Sequence, residues 1–294
     1  MQIRRVLAAS AATALAATGL VACSNDEEAT TEGASEDSTI VIGTTDANME
    51  EWSVFQDLAE ENGYDIELEN FSDYNTPNQA LNEGELDANK FQHLKFLAEF
   101  NQGNGTDLVP LASTEIYPLA LYWQDHDSLD GIEGEEVVIP NDSTNQGRAI
   151  NLLVQEGLVT LNEEGMLTPT PADIDEEASQ VSVRPVDAAQ TPSAYGEGTP
   201  AVINNSFLER TGIDPQSAVA QDDPNSEEAE PYINVWAVNA DDVDNETLNA
   251  LAELWKDPAV EEAVMRSSGD TAVAVDRPRE ELQEILDRLE EELS

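Results

Sequence analysis

Short apolar runs alternate along most of the chain with segments whose apolar residues recur every three or four positions, the mixed signature of strands and amphipathic helices. Ile40-Val41-Ile42 predicts a strand ending at Gly43. Trp52, Phe55, Leu58 and Ala59 follow at helical spacing with Gly63 as a stop, and Ile66 and Leu68 then alternate with acids. Thr76-Pro77 supplies a helix start and Gly84 an end. Leu86-Asp87-Ala88 predicts a short buried strand leading into Phe91 and a helix through Phe100, with further strands at Val109–Leu111 and Ile116–Tyr122. A second series opens with Val137-Val138-Ile139, a helix from about Thr144 to Gln155 stopped by Gly157, and strands near Val181–Val183 and Ala201–Ile203. Tyr232 to Val238 reads as a returning strand. Helices near Asn245–Lys256 and Pro258–Arg266 follow, then an acidic helix with Leu282, Ile285, Leu286, Leu289 and Leu293 on one face. Alternation of this kind predicts an α/β fold of sheets covered by helices, without internal repeats.

The first residues carry a different pattern. Arg4 and Arg5 precede an uncharged run from Val6 to Val21, too short for a spanning helix, which needs ~20 residues, and Leu20-Val21-Ala22-Cys23 closes it. Residues 1–22 are therefore expected to be an export signal. The ending resembles the bacterial lipobox, so Cys23 is the expected lipidation site. A plain secreted protein with one cysteine beside its cleavage site is the alternative. Residues 23–38 contain no aromatic or large aliphatic residue and predict an acidic tether. Cys23 is the one cysteine of the sequence, so no internal disulfide can form.

The formal net charge of −50 comes from 62 Asp and Glu against 12 Lys and Arg. Such a surface repels nucleic-acid phosphates, and anionic lipid surfaces too. The acids are spread through well-patterned segments, which predicts a solvated face and not a disordered tail, and salty surroundings would screen its self-repulsion. The folded region has no cysteine and only two histidines, His93 and His126, and lacks nucleotide loops, paired zinc spacings and nucleophile elbows. No catalytic residue, metal or cofactor is expected. Carboxylate pairs carry no information where carboxylates are this common.

Polar residues at the ends of predicted strands carry more. Pro140 to Arg148 (PNDSTNQGR) follows a buried strand and opens a helix, so free N–H groups, the helix dipole and Arg148 in the first turn could converge on a carboxylate. A structural cap with a surface arginine accounts for the segment equally well. Asn204 after Ala201-Val202-Ile203, and Asn234 inside Tyr232-Ile233-Asn234-Val235, each offer an amide that can donate and accept; a turn and an edge strand are the plainer explanations. Phe91 and His93 end a predicted strand, and Tyr74 and Tyr117 recur in comparable places. Aromatic rings suit a thioether, although each ring alone is more often core, and His93 could cap the helix that follows it.

Together the segments FSDY (71–74), DANKFQH (87–93), IYPLA (116–120), IPNDSTNQGR (139–148), AVIN (201–204) and YINV (232–235) resemble, in order and spacing, the NlpA/MetQ family of methionine-binding lipoproteins, over about residues 40–266. The resemblance implies a two-lobed α/β clamp of the periplasmic-binding-protein type (type II) with a ligand cleft between the lobes. Lobe 1 would comprise residues 39–120 and 233–294, and lobe 2 residues 121–232. It implies that Arg148 and Asn145 hold an amino acid's carboxylate, Asn204 and Asn234 its backbone polar groups, and Tyr74, Phe91, His93 and Tyr117 its side chain. The implied protein is a monomer, anchored outside the cell membrane, that captures methionine and delivers it to an ABC permease and ATPase complex. Another small amino acid, methionine sulfoxide or a methionine dipeptide are alternative ligands. A surface adhesin docking through the acidic last helix is a further class, marked by an exposed apolar seam. Residues 191–200, with their Gly and Pro, depart from the helical stretch usual in the family, and the C-terminal helix is an addition.

Overall fold

The computed structural model describes residues 39–163 and 165–293; the signal segment, Cys23 and the tether lie outside the described residues. The first strands and helices alternate as β1 (Ile40–Thr44), α1 (Glu50–Glu61), β2 (Ile66–Asn70), α2 (Pro77–Asn82), β3 (Ala88–His93), α3 (Leu94–Asn104) and β4 (Val109–Ser113). The chain then crosses through β5 (Glu115–Ile116) into β6 (Ala120–Tyr122), β7 (Glu136–Pro140), α4 (Ser143–Gln155), β8 (Ser182–Val186), α5 (Thr191–Gly196), β9 (Ala201–Ile203) and β10 (Ala220–Gln221). It returns with β11 (Asn234–Val238), α6 (Glu246–Leu254), α7 (Pro258–Ser267), β12 (Val273–Ala274) and α8 (Arg279–Glu292).

Two five-stranded sheets result, ordered β2-β1-β3-β11-β4 and β10-β6-β9-β7-β8, with a small β12-β5 pair beside them. In the first sheet β1 runs parallel to β2 and β3, and the returning β11 inserts antiparallel between β3 and β4. The central strands of each sheet are buried on both faces. Trp236 and Val238 of β11 enter a core with Trp52, Phe55 and Trp255, whereas Val235 and Ala237 enter a second core with Leu94, Leu97 and α8. The second sheet repeats the arrangement: Val137, Ile139 and Val202 face α4, and Val138, Ala201 and Ile203 face Phe207 and α5. Side chains alternate across a strand, so double-sided burial produces the continuous apolar runs seen in the sequence.

The structure revises several expected elements. The expected strand at Leu86–Ala88 lies further along, so Phe91 and His93 belong to β3, and the helix begins only at Leu94. Polar β3 is tolerated in the interior because its groups pair: Asn78 Nδ2 donates to Gln92 Oε1 at 2.6 Å, and Asn89 Nδ2 donates to Asn78 Oδ1 at 2.9 Å. The expected strand Ile116–Tyr122 is broken by Tyr117-Pro118-Leu119, which carries the chain from one sheet to the other. Tyr232 closes a 3-10 turn and is not in β11. Residues 191–196 are helical despite their composition, because Pro192 sits in the first turn, where its missing N–H costs nothing. Leu282, Ile285, Leu286 and Leu289 of α8 are buried against the first sheet's second core, which removes the apolar seam an adhesin would expose; Leu293, 39% exposed, falls outside it. Among the described residues no helix is long and apolar enough to cross a membrane.

Candidate functional site

All eight side chains singled out for a ligand line one cavity, where the ends of β3, β7 and β9, the start of β11 and the crossing segment Tyr117-Pro118-Leu119 meet. Tyr74, Phe91, His93 and Asn234 come from the first sheet and its loops, Asn145, Arg148 and Asn204 from the second, and Tyr117 from the segment between. The cavity is small, about 40 Å³. Parallel strands deliver their helix-starting turns to the same edge, which is why polar residues after β7 and β9 arrive together.

Arg148 is the sixth residue of α4 and so lies in the second turn, not the first as expected. Asp142 caps the helix, its Oδ1 accepting from Asn145 N at 2.9 Å, so the first-turn N–H groups are not all free for a ligand. The tight seat of α4 depends on Gly147, where a Cβ would stand 3.1 Å from the Thr168 backbone. Arg148 is 6% exposed and is not a surface arginine. Its Nε donates to Asp222 Oδ2 at 2.6 Å, its Nη2 to Tyr117 O at 2.9 Å, and its guanidinium carbon lies 4.0 Å from the Tyr232 ring centre.

His93 caps α3 and also lines the cavity. Its Nδ1 accepts from Phe96 N at 3.1 Å as the cap of α3, which leaves the proton on Nε2, 3.3 Å from Asn145 Oδ1. Burial, with Arg148 adding to it, pushes the His93 pKa down to about 3, so the ring is neutral and keeps this tautomer at ordinary pH. Asn145 Oδ1 also accepts from Asn204 Nδ2 at 3.1 Å, and its Nδ2 donates to Asp142 Oδ1 at 2.9 Å. Asn145 therefore ties His93 of one sheet to Asn204 of the other.

Two buried polar atoms on the cavity wall have no hydrogen-bond partner among the described residues, Asn204 Oδ1 and Asn205 Nδ2, whereas the Tyr117 hydroxyl turns toward Glu115. Buried polar atoms are normally paired, so these two mark places where a bound molecule would complete the bonding. An acceptor at Asn204 and a donor at Asn205 suit a zwitterion. Asn234 is half-buried, its Nδ2 reaching Tyr232 O at 3.4 Å. The aromatic wall also includes Phe96, 5.8 Å from Phe91; Tyr74 lies 5.9 Å from Phe91 and is backed at 4.8 Å by Phe207 of the core behind it. Gln92, Phe96, Pro118, Leu119, Asn205 and Ser206 also line the cavity and were not singled out in the sequence. Phe96, three residues after His93, and Asn205-Ser206, directly after Asn204, were findable by adjacency.

The model of the NlpA lipoprotein family matches residues 40–275. The chain belongs to the NlpA lipoprotein family. Lipoprotein 28 of Escherichia coli O157:H7 is 35% identical over 263 residues, which cover 87% of this chain and 93% of the relative. The D-methionine-binding lipoprotein MetQ of Salmonella typhi is 33% identical over 80% of this chain and 86% of its own. Among solved structures, a nutrient binding protein from Burkholderia cenocepacia bound to methionine superposes with a TM-score of 0.73 at 31% identity, covering 80% of this chain and 99% of that one. The two-lobed α/β architecture is thus the family's own.

Behind the Tyr117 wall lies a second buried group of charges. Lys90 Nζ donates to Glu115 Oε1 at 2.6 Å, both side chains 4% exposed, and sits 4.4 Å over the Trp255 ring. Asp46 Oδ1 accepts from Thr44 Oγ1 at 2.6 Å and from Trp52 Nε1 at 2.7 Å. Burial and the Asp46 charge push Glu51 up to about 7, with Lys90 pulling the other way. Burial opposes the Lys90 charge, but Glu115 and Asp46 outweigh it and hold its pKa above the usual value.

Proposed function

We propose that this chain is a lipid-anchored, extracytoplasmic substrate-binding protein that captures methionine and delivers it to an ABC permease and ATPase complex. The observation that carries the reading is the cavity itself: a guanidinium, an unpaired acceptor and an unpaired donor stand beside a wall of Tyr74, Phe91 and Phe96. The polar end suits an amino acid's charged groups and the aromatic end a thioether, each sulfur–ring contact being worth ~0.3–1.5 kcal/mol. Relatives named for binding methionine support the same ligand. Residues 39–120 with 233–294, and residues 121–232, would act as the two bodies of a clamp whose closure buries the ligand. Binding and release need no bond to be broken, so no catalytic group is assigned.

Mass spectrometry of ligand released from the denatured protein is expected to give methionine; a dipeptide or the sulfoxide would correct the ligand, and a non-amino-acid would refute the reading. Replacing Phe91 by alanine should weaken methionine by roughly ten- to a hundredfold, the scale of one lost aromatic contact surface, while alanine binding changes little. Equal losses for both ligands in calorimetric titration would make Phe91 a core residue. Cys23→Ser is expected to abolish lipid labelling and release the protein from membranes, and membrane retention of the serine variant would refute the anchor.

A further inference from the structure

Two segments carry the chain between the sheets, residues 117–119 from β5 to β6 and residues 222–233 from β10 to β11. Asp222 opens the second and is bonded to the first: Leu119 N donates to its Oδ1 at 2.8 Å, and its own N donates to Leu119 O at 3.1 Å. Its carboxylate also takes Arg148 in a two-point pair, Nε to Oδ2 at 2.6 Å and Nη2 to Oδ1 at 3.2 Å. Tyr117 O and the Tyr232 ring complete the seat, so both crossing segments hold the guanidinium. Among the described residues no hydrogen bond involves Nη1, while Arg148 lines the cavity.

We propose that Asp222 is a positioning residue for carboxylate recognition: it occupies the Nε and Nη2 edge of Arg148, leaves Nη1 to the ligand, and thereby sets where the ligand's carboxylate can sit. The proposal rests on reading the cavity as an amino-acid site. A guanidinium has a fixed planar fork, so fixing one edge fixes the direction of the other. The backbone bonds of Asp222 to Leu119 keep the carboxylate from swinging aside, which separates a fixed anchor from a rival anion that a ligand would displace. Simple charge balance is a competing role, and it is separable because a glutamate keeps the charge and moves it by one methylene.

The full chain carrying Asp222→Glu is therefore titrated with L-methionine and with L-methioninamide, which lacks the carboxylate. Methionine affinity is expected to fall at least ~10-fold, the scale of one charge-assisted hydrogen bond, with methioninamide changed less than about threefold on the same scale. Equal losses for both ligands, unchanged methionine affinity or tighter methionine binding would each overturn the proposal. A ligand-free measurement keeps it testable if the cavity binds something other than methionine. Phenylglyoxal modification of Arg148, read by peptide mass spectrometry, should accelerate several-fold in Asp222→Asn, and an unchanged rate would overturn the positioning role by itself.

Discussion

Replacing Arg148 by alanine is expected to lower methionine affinity by roughly a hundred- to several-thousand-fold, the consequence of leaving a buried carboxylate without its charged partner at ~3–5 kcal/mol. When the lobes close, the ligand's carboxylate leaves water, and only a cation with N–H groups in place offsets that loss. The structure adds a second consequence. Arg148 already compensates Asp222, whose side chain is 21% exposed, and it satisfies Tyr117 O. The ligand-free variant should therefore also lose stability, by roughly 1–3 kcal/mol, less than a fully buried pair would because Asp222 keeps some water. Arg148→Lys should recover part of both, since one ammonium cannot span Asp222, Tyr117 O and a ligand together. Calorimetric titration and thermal melting read the two effects separately, and near-wild-type affinity in the alanine variant would remove Arg148 from the site.

Much of this architecture was legible because the central strands of both sheets are buried on two faces. Val137-Val138-Ile139 and Ala201-Val202-Ile203 can be apolar throughout only where each face meets a core, and such runs stand out in a chain this acidic. The cavity residues were legible for a related reason: a polar residue directly after such a run has to sit at a strand end, where this fold gathers its turns. What stayed hidden is equally physical. The stretch Asn89 to His93 has Phe91 as its single apolar residue, and its polar groups are satisfied by Asn78, on the preceding helix, and Glu115, 25 residues beyond Lys90, neither of which the local pattern reveals. Asp222 was one acid among 62, and nothing local distinguishes a carboxylate that meets Arg148, 74 residues away, from one that faces water. Arg148 falls in the second turn whether the helix starts at Ser143, as it does, or at Thr144, as the pattern indicated, so its turn followed from the residue count and not from the cap.

Lys90→Met is expected to cost about 3–5 kcal/mol of folding stability near neutral pH, while methionine affinity stays within about threefold of wild type. The substitution keeps most of the side chain's volume but strands Glu115, 4% exposed, beside Glu51 and Asp46. It also removes the cation attraction over Trp255. Lys90 lines no part of the ligand cavity, which is why stability and binding should separate. The pH dependence gives a sharper check. Glu51 has a folded pKa raised above its unfolded value of 4.5 to about 7, so the folded state holds the proton more tightly and Glu51 lowers stability as pH rises through that window. Lys90 counteracts this, because its charge favours ionised Glu51; without it Glu51 should shift higher still, and the deficit of the variant should widen between about pH 5 and 8 and shrink on acidification. Pairing Lys90→Met with Glu115→Gln removes the stranded charge and should restore more than half of the loss, as double substitution of a buried pair does where single substitution cannot. Urea unfolding of the wild type, the single variant and the double variant across that pH range measures all three, and a small deficit independent of pH would show that water reaches the Lys90–Glu115 pair.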